Sequence, residues 1–386
     1  MFNARRRLIA VALGLAAAIA VAVVVGLQLT AVRSPPAARP GSAGAQPTRA
    51  GSQPAPAGGQ PAQLTPAGEL KPAIHGLLYR NGPPPASIRS MFGGYDVQGP
   101  GDYGAVSWSQ LQASPGGPIT PDNPIDQAIT DVRSWNASNP EDPELLLVRV
   151  NAGIHSPAWA DDLGGSCVEV RDPDSGIQGC TPRFWTAQFG AAFYQFESEL
   201  AARYDSVPEI GEVVIARDMT VYNEPLLRQI ADPATVANLV AAGYSTAVDE
   251  QDQRTDIAAL GTYWKHTHVG FTFNPYQTID PTGEDETYTE QLMAYGRQVL
   301  GSQLVLDNDS LRVSFLQGGE YATMYAAMQR LGAPIGFQTA VLSKVGNLLT
   351  TIQGAAALGA SCVELPSGFA VSGLGSLSSV VLPEPP

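Results

Sequence analysis

The sequence predicts an α/β fold in which eight parallel strands alternate with helices and close into a barrel. Three observations favour this fold. Strand-like and helix-like segments alternate along the chain, the strand-like segments end in polar residues, and residues 69–386 are available to form one domain. Such alternation is typical of βα units and a parallel sheet, and a barrel of eight units needs about 250 residues.

Residues 1–32 precede this domain. Three arginines at residues 5–7 are followed by an uncharged apolar run over residues 8–27, which is long enough to cross a bilayer core as a helix. Arginines on the N-terminal side predict that this end stays in the cytoplasm and that the remainder is exported. A cleaved signal peptide is the alternative. Both alternatives predict export, either to a single-pass membrane position or as a secreted protein.

Residues 33–68 consist mainly of Pro, Ala, Gly, Ser and Gln and predict a disordered linker, since they can bury little apolar surface. Residues 1–68 contain six arginines and no acidic residue, and the whole chain carries a net charge of −14. The domain at residues 69–386 therefore carries about −20. This charge argues against nucleic acid as a partner and is compatible with a neutral substrate.

The first strand of the pattern has two competing assignments. Residues 87–95 are the predicted first strand, with residues 73–78 as a competing choice, and residues 103–108 are the predicted second strand. The connection over residues 96–102 is too short for a helix. Either the first barrel helix is missing or the first strand lies elsewhere.

The remaining strands and helices follow clearer patterns. A continuous apolar run such as residues 144–150 is typical of a buried parallel strand. The other strands are predicted at residues 212–218, 268–273, 303–306, 333–337 and 360–363. Helices are predicted at residues 122–135, 186–204, 287–301, 321–331 and 348–358, with further helical segments over residues 233–264.

Two short motifs carry a resemblance to a known superfamily. The tripeptide Asn223-Glu224-Pro225 resembles the Asn-Glu-Pro signature at the end of the fourth strand in retaining TIM-barrel glycosidases. The Trp-x-x-Leu segment that begins at Trp108 resembles the Trp-x-x-Leu-Glu-Pro that follows the second strand in the same enzymes. Here Gln112 occupies the position of its Glu. The resemblance covers residues 87–369 and implies a (β/α)8 TIM barrel that acts on a poly- or oligosaccharide.

Glycoside hydrolysis requires two carboxyl groups across one glycosidic bond, and their separation decides between retention and inversion. The resemblance implies that Glu224 is the general acid/base. The alternative is a helix-start residue, which Pro225 and a favourable helix dipole would also explain. Asp218 is a second candidate, and its alternative role is an ion pair with Arg217 or Arg149. Asp96 and Asp307 also follow predicted strands, whose ends share one mouth in a barrel.

The retaining family would place its nucleophile at the end of strand seven, where this chain has Gln338. A carboxamide cannot act as that nucleophile. Glu364, one strand further on, is the predicted replacement, because a carboxylate after an apolar run is costly unless it is paired or functional. Pairing with an arginine is the alternative. The resulting hypothesis is that Glu224 donates the proton and that Glu364 or Asp218 is the base or nucleophile.

Flat aromatic rings stack on sugars, whereas amides and arginines bind hydroxyl groups. The predicted substrate-binding residues are those of both kinds near strand ends. They are Trp108, Arg149, Asn151, His155, Trp159, Tyr222, Asn274, Tyr276, Asp307 and Gln338. Each aromatic residue could instead belong to the core, and the Asp307 segment could instead form a turn.

Cys167 and Cys180 bracket a Gly- and Asp-rich loop and predict a disulfide, which suits an oxidising compartment. Cys362 lies in an apolar stretch and predicts a buried thiol. The sequence contains no Cys-x-x-Cys, and its four histidines are scattered, so neither a metal nor a cofactor is expected. Two other functions stay open: a non-catalytic carbohydrate-binding or cell-envelope protein, and a metal-assisted hydrolase built on Asp218 and Asp307.

Overall fold

The computed structural model describes residues 69–80, 82–99, 104–225, 227 and 229–385. The predicted membrane or signal segment at residues 1–32 and the predicted linker at residues 33–68 lie outside these ranges. Within them, no helix is long and apolar enough to cross a membrane.

Eight parallel strands in the described ranges form a closed barrel. The order around the barrel is β2-β1-β8-β7-β6-β5-β4-β3, and a pairing of β2 with β3 closes the circle. The predicted (β/α)8 barrel is therefore confirmed as an architecture. The strands are β1 Gly76–Tyr79, β2 Gly94–Asp96, β3 Leu145–Asn151, β4 Ile210–Val214, β5 His268–Thr272, β6 Leu304–Leu311, β7 Ile335–Thr339 and β8 Cys362–Glu364.

Helices pack around the outside of this barrel. Several begin at a side chain that accepts a hydrogen bond from the first turn, as Asn123, Thr186 and Asn347 do. The longer helices are α1 Pro124–Ser138, α2 Ala187–Tyr204, α3 Pro233–Ala241, α4 Thr246–Tyr263, α5 Glu286–Leu300, α6 Glu320–Leu331 and α7 Leu348–Ala357. Single-turn helices lie at Trp108–Leu111, Val313–Leu316 and Leu374–Ser378.

Two antiparallel hairpins extend the loops at the C-terminal ends of β3 and β5. One pairs Val168–Arg171 with Gln178–Thr181, and the other pairs Tyr276–Ile279 with Thr282–Asp285. The bond between Cys167 and Cys180 closes the first hairpin, which confirms the predicted disulfide. Cys362 is a buried free thiol, also as predicted.

The first two strands differ from the prediction. The competing choice, residues 73–78, overlaps β1, and the segment predicted as the first strand supplies β2 at its end. Of the predicted second strand, the described residues 104–108 contribute a two-residue strand, Val106–Ser107, beside β3. Glycine allows β2 to approach β3 this closely, because a Cβ on Gly94 would collide with the carbonyl oxygen of Leu145.

The described residues between β1 and β2 contain a single 3-10 turn, Arg89–Met91, in place of the first outer helix. The C-terminal segment covers this flank. Phe369 packs its ring against those of Tyr79 and Phe92 at 6.0 and 6.2 Å. Leu382 is 4% exposed, and its carbonyl oxygen lies 3.0 Å from His75 Nε2.

The start of the domain lies at the opposite end of the barrel from the mouth formed by the carboxyl ends of the strands. Lys71 Nζ donates hydrogen bonds to the carbonyl oxygens of Val207 and Ile210, at 2.7 and 2.9 Å. Ile210 is the first residue of β4. The chain therefore enters the barrel at the N-terminal ends of the strands.

The barrel interior combines a small apolar cluster with charged side chains. Because side chains alternate between the two faces of a strand, Leu147 and Arg149 of β3 share the inner face. Leu147 packs in a small cluster with Leu78, Val214 and Cys362 of β1, β4 and β8. Buried charged side chains lie beside this cluster and form a charged layer at the mouth.

Candidate active site

Arg149 is the centre of the charged layer and is 3% exposed. Its Nη1 lies 2.5 Å from Glu364 Oε2 and 3.1 Å from Asp96 Oδ2, and its Nη2 lies 3.5 Å from Asp309 Oδ1. The three carboxyl groups come from β8, β2 and β6. One guanidinium group therefore connects carboxyl groups that are far apart in sequence, as the closed barrel requires.

Glu364 is completely buried at the end of β8. Besides Arg149, it accepts hydrogen bonds from Arg80 Nε at 2.5 Å and from Gln338 Nε2 at 3.1 Å. Burial by itself would raise the pKa of Glu364, but the charges of Arg149 and Arg80 outweigh it and hold the pKa below its usual value. Glu364 is therefore an ionised carboxylate whose oxygens are already engaged, which matches the arginine-partner alternative.

Asp309 lies on β6 with its side chain 5% exposed. Asn223 Nδ2 donates to Asp309 Oδ2 at 3.3 Å. Burial raises the pKa of Asp309 to about 6; the guanidinium of Arg149 opposes this rise, and the nearby carboxyl group of Glu224 adds to it. Asp309 can therefore exchange a proton near neutral pH.

Glu224 is 5% exposed and is close enough to Asp309 at the mouth for its charge to raise the pKa of Asp309. Asn274, two residues beyond β5, donates from Nδ2 to Glu224 Oε1 at 3.1 Å. The structure thus brings Glu224, Asn274, Arg149, Gln338 and Glu364 of the predicted set into one region, together with Asp309.

Asp307 occupies the barrel interior rather than the mouth. Burial raises the pKa of Asp307 well above its usual value, and the neighbouring Glu212 adds to this rise. A Cβ on Gly270 would collide with both carboxyl groups, and one on Gly336 would collide with Asp307. Glycine on β5 and β7 therefore leaves room for this acid pair, and Asp307 is not placed to bind substrate as predicted.

Asp218 turns away from the mouth into a cluster on the outside of the barrel. It is 2% exposed, and burial raises its pKa well above the usual value, with the charges of Asp256 and Asp249 on α4 adding to the rise. Arg217 binds Asp252 and Asp256 in this cluster. The proposed pairing of Asp218 with Glu224 is not formed. Asp218 and Asp307 also lie in separate clusters, so the metal-assisted alternative loses its site.

Two of the predicted aromatic platforms are core residues instead. Trp108 is fully buried and stacks on Phe196 with ring centroids 5.1 Å apart, because α2 packs directly over it. Tyr276 is 3% exposed and packs against Tyr288 at 4.4 Å. Neither ring can stack on a sugar without first separating from the helix that packs against it.

The other predicted binding residues surround the mouth. Trp159 is half-buried, and Tyr222 donates from its hydroxyl group to Asp172 Oδ2 at 2.5 Å. Asn151 is buried at the end of β3. His155 lies in the 3-10 turn Gly153–His155. A main-chain N–H of this turn donates a hydrogen bond to the carbonyl oxygen of Thr220, four residues before Glu224. Burial lowers the pKa of His155, so its ring is neutral at pH 7.

A cleft of about 460 Å³ adjoins this region. Its lining includes Pro275, Tyr321 and Glu284. The Tyr321 hydroxyl group lies 3.2 Å from Asn274 Oδ1, so the cleft reaches the hydrogen-bond network of Glu224. A cleft of this volume is large enough to hold a small-molecule ligand.

Sequence reasoning missed Asp309, Arg80 and the interior residue Glu212. Asp309 follows Asp307 at the two-residue spacing of a strand face, and extending β6 by a few residues would have placed both on the inner face. Arg80 directly follows β1. It was not identified as a strand-end residue because the first strand was predicted at residues 87–95. Glu212 begins the predicted fourth strand, and only its acidity inside an apolar run gave a signal.

No model of a protein family matches this chain, and no curated protein matches it. Several solved structures are similar to it. Endo-glycoceramidase II from Rhodococcus sp., in complex with a cellobiose-like imidazole, is 13% identical over 82% of this chain and 81% of that chain, with a TM-score of 0.44. The beta-galactosidase from the psychrophilic Marinomonas ef1 is 12% identical over 75% of this chain and 53% of that chain, with a TM-score of 0.46.

The catalytic domain of beta-amylase from Paenibacillus polymyxa is 11% identical over 81% of this chain and 100% of that chain, with a TM-score of 0.45.

Proposed function

We propose that this protein is a glycoside-hydrolase-like protein that binds a poly- or oligosaccharide at the mouth of the barrel and cleaves it by carboxylate acid/base chemistry. The reacting pair in this proposal is Glu224 and Asp309. The observation that carries it is that these two carboxyl groups are neighbours at the mouth, each held by an amide side chain, Asn274 and Asn223 respectively.

The environment of Asp309 suits the role of proton donor. Asp309, whose pKa is raised by burial to about 6, keeps its proton at mildly acidic pH and is the proposed proton donor to the glycosidic oxygen. Glu224 is the proposed base or nucleophile on the other side of the bond.

Glu364 has a supporting role in this proposal. Its contacts with Arg149, Arg80 and Gln338 occupy the oxygens that a nucleophile would need. Glu364 holds Arg149 in place, and Arg149 in turn contacts Asp309. The proposal therefore differs from the pairing of Glu224 with Glu364 that the sequence favoured.

Side chains that remain partly exposed around the mouth would bind the sugar. Tyr222, Trp159 and Tyr321 are half-buried and offer ring faces, while His155 and Gln338 are half-buried and offer polar groups. These residues, together with the adjoining cleft, are the proposed substrate-binding surface.

The test is hydrolysis of a panel of neutral and amino-sugar oligosaccharides by the purified chain, followed through released reducing ends. Glu224→Gln and Asp309→Asn should each reduce turnover at least about 100-fold, since general acid/base groups contribute this much. Asp142→Asn is the matched control because Asp142 is exposed and distant from the mouth. Wild-type turnover that survives both substitutions would overturn the assignment.

A non-catalytic carbohydrate-binding protein is the second candidate, and the saturated contacts of Glu364 favour it. In that case no oligosaccharide would be cleaved, and Glu224→Gln and Asp309→Asn would retain ligand affinity within about twofold. Isothermal titration with the same oligosaccharide panel separates the two functions.

We also propose the domain organisation and location that the sequence indicates. Residues 1–32 would anchor the chain in the cell membrane or direct its secretion, residues 33–68 would act as a linker, and residues 69–386 would function outside the cytoplasm. The disulfide between Cys167 and Cys180 supports an oxidising compartment. Cell fractionation and thiol labelling of intact cells would test this: a reduced, cytoplasmic chain would contradict it.

A further inference from the structure

Asn308 on β6 has an amide group whose orientation is set by two main-chain groups. Its Nδ2 donates to the carbonyl oxygen of Phe273 at 2.8 Å, and its Oδ1 accepts from the N–H of Ser310 at 3.0 Å. A carbonyl oxygen can only accept and an N–H can only donate. The side chain is fully buried, so this orientation cannot be exchanged for contacts with water.

The orientation of Asn308 fixes that of Asn274. Asn308 Nδ2 also donates to Asn274 Oδ1 at 3.1 Å. The hydroxyl group of Tyr321 lies 3.2 Å from the same oxygen. With its oxygen occupied in this way, Asn274 presents its Nδ2 to Glu224 Oε1 at 3.1 Å.

A tyrosine also binds the amide group of Asn308, so that a chain of hydrogen bonds, here called the relay, extends from this tyrosine to Glu224. The hydroxyl group of Tyr325 on α6 donates to Asn308 Oδ1 at 2.8 Å. Tyr325 is 1% exposed and packs against Phe337 of β7. The relay therefore runs from Tyr325 through Asn308 and Asn274 to Glu224 and is anchored in the packed layer between the barrel and α6.

We propose that Asn308 is a positioning residue that makes Asn274 a hydrogen-bond donor to Glu224 and thereby holds the carboxyl group of Glu224 in place as the base or nucleophile. Asp309 remains the proposed proton donor. This inference rests on the proposed function, and it reverses the role that the sequence resemblance implied for Glu224.

The direct test is the Asn308→Asp variant of the full chain, examined by NMR of the side-chain amide groups. The introduced carboxylate would present oxygen to both Phe273 C=O and Asn274 Oδ1, so the amide of Asn274 should reorient and its Nδ2 protons should lose protection from exchange. Glu224→Gln in the wild-type background should shift the same Asn274 signals. Asn274 signals that stay unchanged in both variants would overturn the proposal.

Kinetics supply the second readout. Asn308→Asp should lower kcat about 10- to 100-fold while KM stays within about twofold, because the substrate contacts are intact. Tyr325→Phe removes one hydroxyl group and should lower kcat less, with the same constancy of KM. Equal losses in kcat from Asn238→Asp, an exposed residue on α3, would show that the effect is not specific to the relay.

The two readouts separate failure of the inference from failure of the proposed function. If wild-type protein cleaves no oligosaccharide, the proposed function fails, and the NMR result still decides whether Asn308 orients Asn274. If turnover is present and Asn308→Asp leaves both kcat and the Asn274 signals unchanged, the inference fails alone.

Discussion

Gln253 of α4 donates a hydrogen bond from Nε2 to the carbonyl oxygen of Pro225 at 3.0 Å, one residue beyond Glu224. The same Nε2 lies 3.3 Å from Asp249 Oδ2. The segment that carries Glu224 is thus held from outside the barrel by a helix face that also presents Asp249, Asp252 and Asp256, all buried. The position of Glu224 therefore depends on the packing of this helix face.

The first prediction concerns this face. Burial raises the pKa of Asp249 to about 7, with hydrogen bonds from Tyr244 and Tyr276 opposing the rise. Because the pKa of this carboxyl group is higher in the folded state than in the unfolded state, the free energy of unfolding decreases as pH rises from about 4, the unfolded pKa, to about 7. Asp249→Asn should therefore be close to wild type in stability at pH 4 and more stable by about 1–3 kcal/mol at pH 8.

Urea unfolding at several pH values measures this difference. The exposed Asp142 gives the control variant Asp142→Asn, which should follow the wild-type curve at every pH. A variant Asp249→Asn that is less stable than wild type at pH 8 would show that its hydrogen bonds outweigh the cost of burying its charge.

The second prediction concerns turnover. Because Asp309 is the proposed proton donor and burial raises its pKa to about 6, kcat should be highest below pH 6 and should fall as pH rises through that value. Asp309→Glu keeps the carboxyl group and should retain measurable activity, whereas Asp309→Asn should not. A rate that stays constant from pH 5 to pH 8 would contradict the role of Asp309.

The third prediction concerns Arg149. Arg149→Met would leave the carboxyl groups of Asp96, Asp309 and Glu364 without their shared cation, and removal of one partner from a buried ion pair costs about 3–5 kcal/mol. Denaturant unfolding should show this loss. Arg133→Met is the matched control: Arg133 is 61% exposed and pairs with Glu209, so this substitution should leave the stability nearly unchanged.

The fourth prediction separates core aromatic residues from sugar platforms. Trp108→Ala should destabilise the protein by about 3–5 kcal/mol and leave the affinity of the folded protein for oligosaccharide unchanged. Tyr222→Ala should do the reverse, with little loss of stability and a clear loss of affinity. Calorimetric titration on samples kept well below their unfolding temperatures distinguishes the two.

Much of the barrel could be predicted because its strands are marked by apolar runs that periodicity detects. The third strand and the helix that contains Phe189 and Phe193 are clear examples. The first two strands escaped because they are only four and three residues long. Their position depends on close backbone contacts at glycine, such as that of Gly94 with Leu145, which no local pattern shows.

The candidate site was predictable only in part, for a related reason. Glu224 and Glu364 were found from a motif and from a strand end, and both lie at the mouth. Asp218 lies four residues beyond the end of β4, where strand alternation no longer states which way a side chain points. Asp309 could not be predicted, because an Asp-Asn-Asp sequence resembles a turn and the sequence does not show that β6 extends to Leu311.

The position of Lys71 and of the C-terminal segment has a practical meaning for how the domain can be attached. Lys71 binds at the N-terminal ends of the strands, and Leu382 lies beside His75 in the same region. Both ends of the folded chain therefore leave from the face opposite the mouth. A surface or bead coupled to either end would leave the mouth unobstructed, so that even a long, insoluble polymer could reach Glu224.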